Sequence, residues 1–279
     1  MLKLLLESEI KSIHPAESCR RSIFEDFAGD IHIANCMKQE APPIHFPLRS
    51  ISKSLWDIET TIHRLQWQKE LFFHETIDFG QWYIYAQADI RLFHIEIRSL
   101  LDHLGLCIKH LCDGKKPKDS FSALTENYQK YFEAGIIPKE FHELLGNCSW
   151  FESFRDTRDK IVHEGAEVDV FGMKTGEPIL FWVRKKDIKI IQENSFFFNS
   201  NGVLNFENYA SYYMANIYSI LDVFGEIAYK FSKIKRTQVG GASRSHGGLS
   251  VIRTWMQNLL EEIISEGKPN PYRSLIVKR

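Results

Sequence analysis

Long apolar segments and a regular cysteine spacing are both missing from this sequence of 279 residues. No run reaches the roughly 18 to 20 apolar residues needed to cross a bilayer, and the apolar part of the opening MLKLLLESEIK is too short for a signal-peptide core. The five cysteines are scattered and form no Cys-x2-Cys pair, which is typical of thiols in a reducing compartment. We therefore expect a soluble, cytoplasmic protein that does not associate with membranes.

An excess of charge of one sign is also missing, since the formal net charge is -1 and the isoelectric point is about 6.8. Without a global positive field, any contact with nucleic acid has to be local. The sequence contains no Walker loop, G-x-S-x-G elbow, H-E-x-x-H segment or dinucleotide glycine fingerprint. These absences disfavour the common cofactor enzymes, and we expect no cofactor.

Helical periodicity dominates what is present. Residues 1–51 form an N-terminal extension in this interpretation, because three prolines in APPIHFPLRS resist regular structure. Apolar residues three and four apart predict a helix over residues 52–73 and a long one over 82–111. Asp119 or Ser120 can cap a helix that runs to about residue 131, and Pro138 opens another short helix.

The second half of the chain mixes helices with a predicted β-hairpin. A helix over residues 150–163 ends before Gly165, and aromatic and β-branched residues on both sides of KTGEP predict a hairpin over about 167–192. Asn205 can cap a last long helix over 206–234. Residues 237–279 are a flexible linker followed by an amphipathic helix that docks on its own domain or on a partner. The fold class is mainly α, a bundle over 52–236 with one hairpin insertion.

The segment FESFRDTRDKIVHEG carries the strongest functional signal. Arg158 and His163 enclose four residues, with Asp159 after the arginine and two apolar residues before the histidine. RDKIVHEG resembles the signature of the HEPN superfamily. That resemblance implies a four- or five-helix up-and-down bundle and a homodimeric endoribonuclease in which two motifs face each other. It also implies toxin-antitoxin or phage-defence roles, with a cognate antitoxin or defence protein as partner, and it carries the motif positions over to Arg158, Asp159 and His163.

The residue types suit RNA cleavage without a metal. Histidine, with an ordinary pKa of about 6.5, serves as acid or base near neutrality, and arginine presents a planar fork of donors to phosphate oxygens. Five residues on a helix advance about 7.5 Å, so the two side chains lie on flanking sides of one exposed edge. Asp159 can orient the imidazole. One histidine and one arginine do not fill every role, so the hypothesis requires a dimer.

Three other interpretations of this segment remain open. Arg158 and Asp159 can be solvated surface charges while His163 caps a helix C-terminus, where the helix dipole favours a cation. The chain can also be a non-catalytic HEPN-like module that binds RNA, a nucleotide or a protein and dimerises through the same surface. A purely structural bundle is the third possibility.

Local basic residues are weaker candidates for RNA contacts, with solvated helix and strand ends as the alternative. They are Arg155, Lys160, Arg184, Lys185 and Lys186.

His103, Cys107 and His110 share one helical face, but burial in a bundle is favoured over a metal site there. The run Phe196, Phe197 and Phe198 is better explained by packing than by base stacking.

Overall fold

The computed structural model describes residues 23–38, 43–112, 117–171, 177–183, 203–232, 234 and 247–265. These ranges contain eight helices and three short strands, and the molecule is mainly helical with a small antiparallel sheet. In chain order they are α1 (Ile23–Lys38), α2 (His45–Phe73), α3 (Phe79–Leu111), α4 (Phe121–Glu133), α5 (Lys139–Gly146), α6 (Trp150–Val162), β1 (Val168–Phe171), β2 (Leu180–Val183), β3 (Leu204–Asn205), α7 (Phe206–Ser232) and α8 (Gly247–Ser265).

Helices α2 and α3 pack along each other and form the largest interface between elements. The long helix that the apolar stripe predicts is confirmed, and it starts three residues earlier than expected, at Phe79. Asp78 caps it with a reciprocal pair of bonds to Gln81. Ile90, Phe93 and Ile97 of the predicted stripe are fully buried, and each such side chain contributes about 1.5 to 3 kcal/mol through burial.

The N-terminal part of the bundle is more regular than the prolines suggest. Helix α2 begins at His45, inside the segment predicted to be irregular, and Pro47 lies in its first turn. The N–H groups of a first turn have no partner within the helix, so proline costs little there. Residues 23–38, assigned from the sequence to an extension, form α1, whose buried Phe24 and Phe27 face α7.

The predicted capping residues are found at the expected helix ends. Ser120 accepts a hydrogen bond from the backbone N–H of Ala123 at the start of α4, and Pro138 precedes α5. Asn205 accepts from the N–H of Asn208 at the start of α7. These residues act through side-chain oxygens or a fixed φ, which is why short sequence patterns reveal them.

Strands β1 and β2 pair antiparallel in the predicted hairpin region, with Val168 opposite Val183. The two-residue strand β3, which no sequence pattern predicts, adds to β2. The rest of the predicted hairpin, residues 172–176 and 184–192, lies outside the described residues, as do residues 237–246 of the predicted linker.

The C-terminal amphipathic helix docks on its own domain, one of the two options that the sequence left open. Ile252, Trp255, Met256 and Leu259 of α8 are buried, and the helix packs against α2 and α7. In the described part of the chain, none of the helices combines the length and the apolar character that a membrane span requires.

Candidate functional site

Helix α6 holds the motif because one of its faces is anchored in the core. Phe151, Phe154 and Ile161 are buried, and the Phe154 ring stacks on His94 of α3 with centroids 5.4 Å apart. The helix ends at Val162, as the sequence predicts, and Gly165 adopts a φ of 64°, a left-handed conformation that glycine accepts without strain. In the last turn Asp159 and His163 are open to solvent, whereas Arg158 follows Phe154 by four residues and is mostly covered.

Arg158 and His163 are in direct contact. Nη1 of Arg158 lies 2.5 Å from Nε2 of His163 and 2.8 Å from Oδ1 of Asp159. Oδ1 of Asp159 is 3.9 Å from Nε2 of His163. Arginine only donates hydrogen bonds, so Nε2 of His163 accepts, and the proton of the neutral imidazole is on Nδ1. All three predicted motif residues form one cluster.

The exposure of the three side chains differs in a way that matters for chemistry. The side chain of His163 is 64% exposed, that of Asp159 41% and that of Arg158 17%. Nε of Arg158 is buried and has no hydrogen-bond partner among the described residues. The arginine is thus held in place by packing, while the imidazole beside it is open to a ligand.

His163 also lies where the alternative interpretation, a cap at the helix C-terminus, expects it. The residue occupies the C-cap position of α6, where the helix dipole favours a cation. A ring protonated on Nε2 cannot accept a hydrogen bond from Arg158, so the contact with Arg158 belongs to the neutral ring and the cationic cap to the protonated ring.

A buried histidine lies next to Arg158. His94 of α3 is fully buried, with Nδ1 2.7 Å from the Ile90 carbonyl oxygen and Nε2 2.9 Å from the Tyr209 hydroxyl. The carbonyl only accepts, so Nδ1 donates to it and Tyr209 donates to Nε2. The pKa of His94 is lowered to about 4, mainly because burial removes the ring from water. The hydrogen bond to Ile90 raises this pKa and the positive charge of Arg158 lowers it, and both effects are smaller than that of burial.

Sequence reasoning missed His94, although one signal was present. The residue lies next to Phe93 and three before the buried Ile97, on the apolar stripe of the longest helix. A histidine on a buried stripe needs partners at both ring nitrogens, and Tyr209 of α7, which supplies one of them, is 115 residues away in sequence. Short-range spacing does not reveal that partner.

The weaker RNA-binding candidates are only partly described. Nη1 of Arg155 donates to Oγ of Ser122 at 2.7 Å and also contacts the Glu126 carboxylate, so this arginine is tied to α4. Lys160 lies half-buried on α6. Arg184, Lys185 and Lys186 lie outside the described residues, as do Phe196, Phe197 and Phe198.

The stripe His103, Cys107 and His110 is divided between core and surface. Cys107 is a fully buried free thiol, and desolvation raises its pKa well above the ordinary value, which disfavours the thiolate that a metal ligand requires. Across the described ranges, no group of three or more His, Cys, Asp or Glu side chains is arranged to bind a metal ion.

Comparison with known proteins adds no relative to this picture. No family model, no curated protein and no solved structure matches this chain.

Proposed function

We propose that this protein is a metal-independent endoribonuclease of the HEPN type, which cleaves RNA by attack of the 2′-hydroxyl at a site composed of two copies of the chain. The observation that carries the proposal is the contact between the Arg158 guanidinium and the exposed His163 imidazole. The guanidinium supplies the positive charge that binds the phosphate, and the imidazole supplies the acid or base that this reaction needs.

Substrate binding and activation of the base are coupled in this geometry. Nη1 of Arg158 is shared between Asp159 and His163. A phosphate oxygen that takes over the hydrogen bonds of Arg158 releases the lone pair of Nε2 of His163. That nitrogen then accepts the proton of the 2′-hydroxyl while the 2′-oxygen attacks phosphorus and the 5′-oxygen leaves. The products are a 2′,3′-cyclic phosphate and a 5′-hydroxyl.

A second copy completes the site. The 5′-oxygen needs a proton as it leaves, and His163 has just taken one from the 2′-hydroxyl, so a separate acid is required. The His163 of a twofold-related copy, protonated on Nε2 and released from its own Arg158, supplies it, and a second Arg158 adds positive charge to the phosphorane. The high exposure of His163 in one copy supports this arrangement.

The surface beside the motif has the composition of a contact between copies. Ile84 and Ile95 are exposed although both are large and apolar. They lie three helical turns apart on one face of α3, together with Arg91, whose Nη2 donates to the Ala166 carbonyl at 3.3 Å. This face therefore runs past the segment that follows His163, where a second copy has to approach.

The test is RNA cleavage by the full chain in excess EDTA, with His163→Ala and Arg158→Ala beside the wild type. His142→Ala is the matched control, because this histidine is on α5 and pairs with Gln129. We expect the wild type and the control to cleave structured and tRNA-like RNAs, and each motif variant to lose about 10² to 10⁴-fold in rate. If wild type and variants bind RNA and leave it intact, the chain is a binding module and the nuclease proposal fails.

A further inference from the structure

A cleft of about 660 Å³ lies between α1 and α2, and no residue of the motif helix α6 lines it. Its volume is within the range of about 300 to 1,000 Å³ that small-molecule sites occupy. Each wall is one continuous helical stripe, with Glu25, Gly29 and His32 on α1 facing His45, Arg49, Lys53 and Trp56 on α2. Both walls of the cleft are therefore formed by helices.

The α2 wall carries two cations on one face. Arg49 and Lys53 are exposed and four residues apart on the same face, a spacing at which like charges repel. Neither forms an ion pair or a side-chain hydrogen bond with any residue in the described ranges. Glu25 faces them from α1, so the walls have a net positive charge. A bound anion would relieve the repulsion between the two cations.

The same wall offers a flat apolar surface beside the cations. The Trp56 side chain is 46% exposed, three residues after Lys53 and seven after Arg49. These spacings place the indole about 5 to 10 Å from the two cations along the helix axis. That separation is comparable with the distance between the base and the phosphate of one nucleotide, and aromatic side chains bind bases by stacking.

A histidine pair adds hydrogen-bonding capacity to the cleft. Nδ1 of His32 lies 3.4 Å from Nε2 of His45. His45 is only 8% exposed, and its Nδ1 has no hydrogen-bond partner among the described residues. A buried nitrogen without a partner is uncommon in proteins and is satisfied by ordered water or by a polar atom of a ligand.

We propose that the cleft binds a small phosphorylated aromatic compound, of which a nucleoside 5′-monophosphate is the simplest. The planar ring stacks on Trp56, the phosphate lies between Arg49 and Lys53, and the His32–His45 pair meets the polar edge of the ligand. Inorganic phosphate alone leaves Trp56 unused, and an uncharged aromatic compound leaves both cations unused. The ligand therefore needs both parts.

The glycine at the centre of the α1 wall provides a blocking variant. A Cβ added at Gly29 meets no atom within 4 Å, so a larger side chain enters the open cleft without a clash. Gly29→Leu is expected to fill the space that the ligand needs and to keep the fold. Trp67→Ala is the matched control for Trp56→Ala, because Trp67 is an exposed tryptophan of the same helix that does not line the cleft.

The experiment is calorimetric titration of the full chain with AMP, adenosine and inorganic phosphate. We expect saturable binding of AMP, at least tenfold weaker binding of the other two, at least tenfold loss in Trp56→Ala and in Arg49→Gln/Lys53→Gln, and no binding to Gly29→Leu. Trp67→Ala is expected to bind as the wild type does, and thermal denaturation checks that each variant is folded.

Two results overturn this inference. One is the absence of saturable AMP binding up to millimolar concentration. The other is binding that persists in Gly29→Leu but disappears in Arg158→Ala/His163→Ala, which places the nucleotide at the motif and leaves the nuclease proposal untouched. Binding that persists in the motif double variant and disappears in Gly29→Leu supports the cleft whether or not RNA is cleaved.

Discussion

Arg158 and His163 share a hydrogen bond across the last turn of α6, with the guanidinium as donor and Nε2 of the imidazole as acceptor. Because arginine only donates, Nε2 accepts in this contact, so the neutral form of the imidazole carries its proton on Nδ1. The contact also places a permanent positive charge beside the atom that would take a proton. In the proposed nuclease, one helix end would thereby combine a cation that binds phosphate with a base.

The tautomer of His163 can be measured directly. The neutral imidazole is expected to carry its proton on Nδ1, because Arg158 occupies the lone pair of Nε2. Nitrogen-15 NMR of the imidazole ring distinguishes the two tautomers. In Arg158→Ala this preference is expected to disappear. A wild-type ring protonated on Nε2 would contradict the contact.

Asp159 is predicted to support the reaction by holding Arg158. Its carboxylate accepts from the same Nη1 that contacts His163. We expect Asp159→Ala to lower the rate of RNA cleavage about tenfold, which corresponds to about 1.4 kcal/mol, and to lower it less than His163→Ala does. Steady-state cleavage rates of the two variants provide the comparison. A loss as large as that of His163→Ala would assign Asp159 a direct role in proton transfer.

His94 is predicted to make stability depend on pH. Its folded pKa of about 4 is below the ordinary value, so the unfolded chain binds the proton more readily between pH 4 and about 6.5. The stability is present above pH 6.5 and is lost as the pH falls towards 4. We expect the free energy of unfolding of the wild type to drop by about 2 to 3 kcal/mol more than that of His94→Gln between pH 7 and 4.5. Parallel curves from urea titrations would refute this.

Two glycines are predicted to respond oppositely to alanine. A Cβ at Gly225 of α7 would lie 2.7 Å from the Phe24 backbone nitrogen, so α1 has to move and the free energy of unfolding falls by about 1 to 3 kcal/mol. A Cβ at Gly29 of α1 meets no other atom within 4 Å, so Gly29→Ala is expected to raise the free energy of unfolding by up to about 1 kcal/mol. Urea midpoints measure both. Equal effects would contradict the close contact of α1 with α7.

The sequence predicts those parts of the fold that local chemistry determines. Ser120, Asn205 and Gly165 act within four residues of themselves, and helix ends are found where these residues predict them. The apolar stripe of α3 repeats over about eight helical turns, and an α-helix is the regular structure that fits this period.

Features that depend on distant partners are not visible in the sequence. Pro47 suggests irregular structure, yet it lies in the first turn of α2, where a proline is compatible with a helix. Strand β3 has two residues and exists only because β2 is beside it. At the site, the spacing of Arg158 and His163 indicates proximity, whereas the buried His94 depends on Tyr209 of another helix.

The most direct test of the central claim is cleavage of one RNA and of its analogue with a single 2′-deoxynucleotide at the mapped cut site, by wild type and His163→Ala in excess EDTA. The account predicts that the wild type cuts the RNA, leaves a 2′,3′-cyclic phosphate and spares the analogue, and that the variant cuts neither at a comparable rate. Equal cleavage of RNA and analogue, or full activity of His163→Ala, would contradict it.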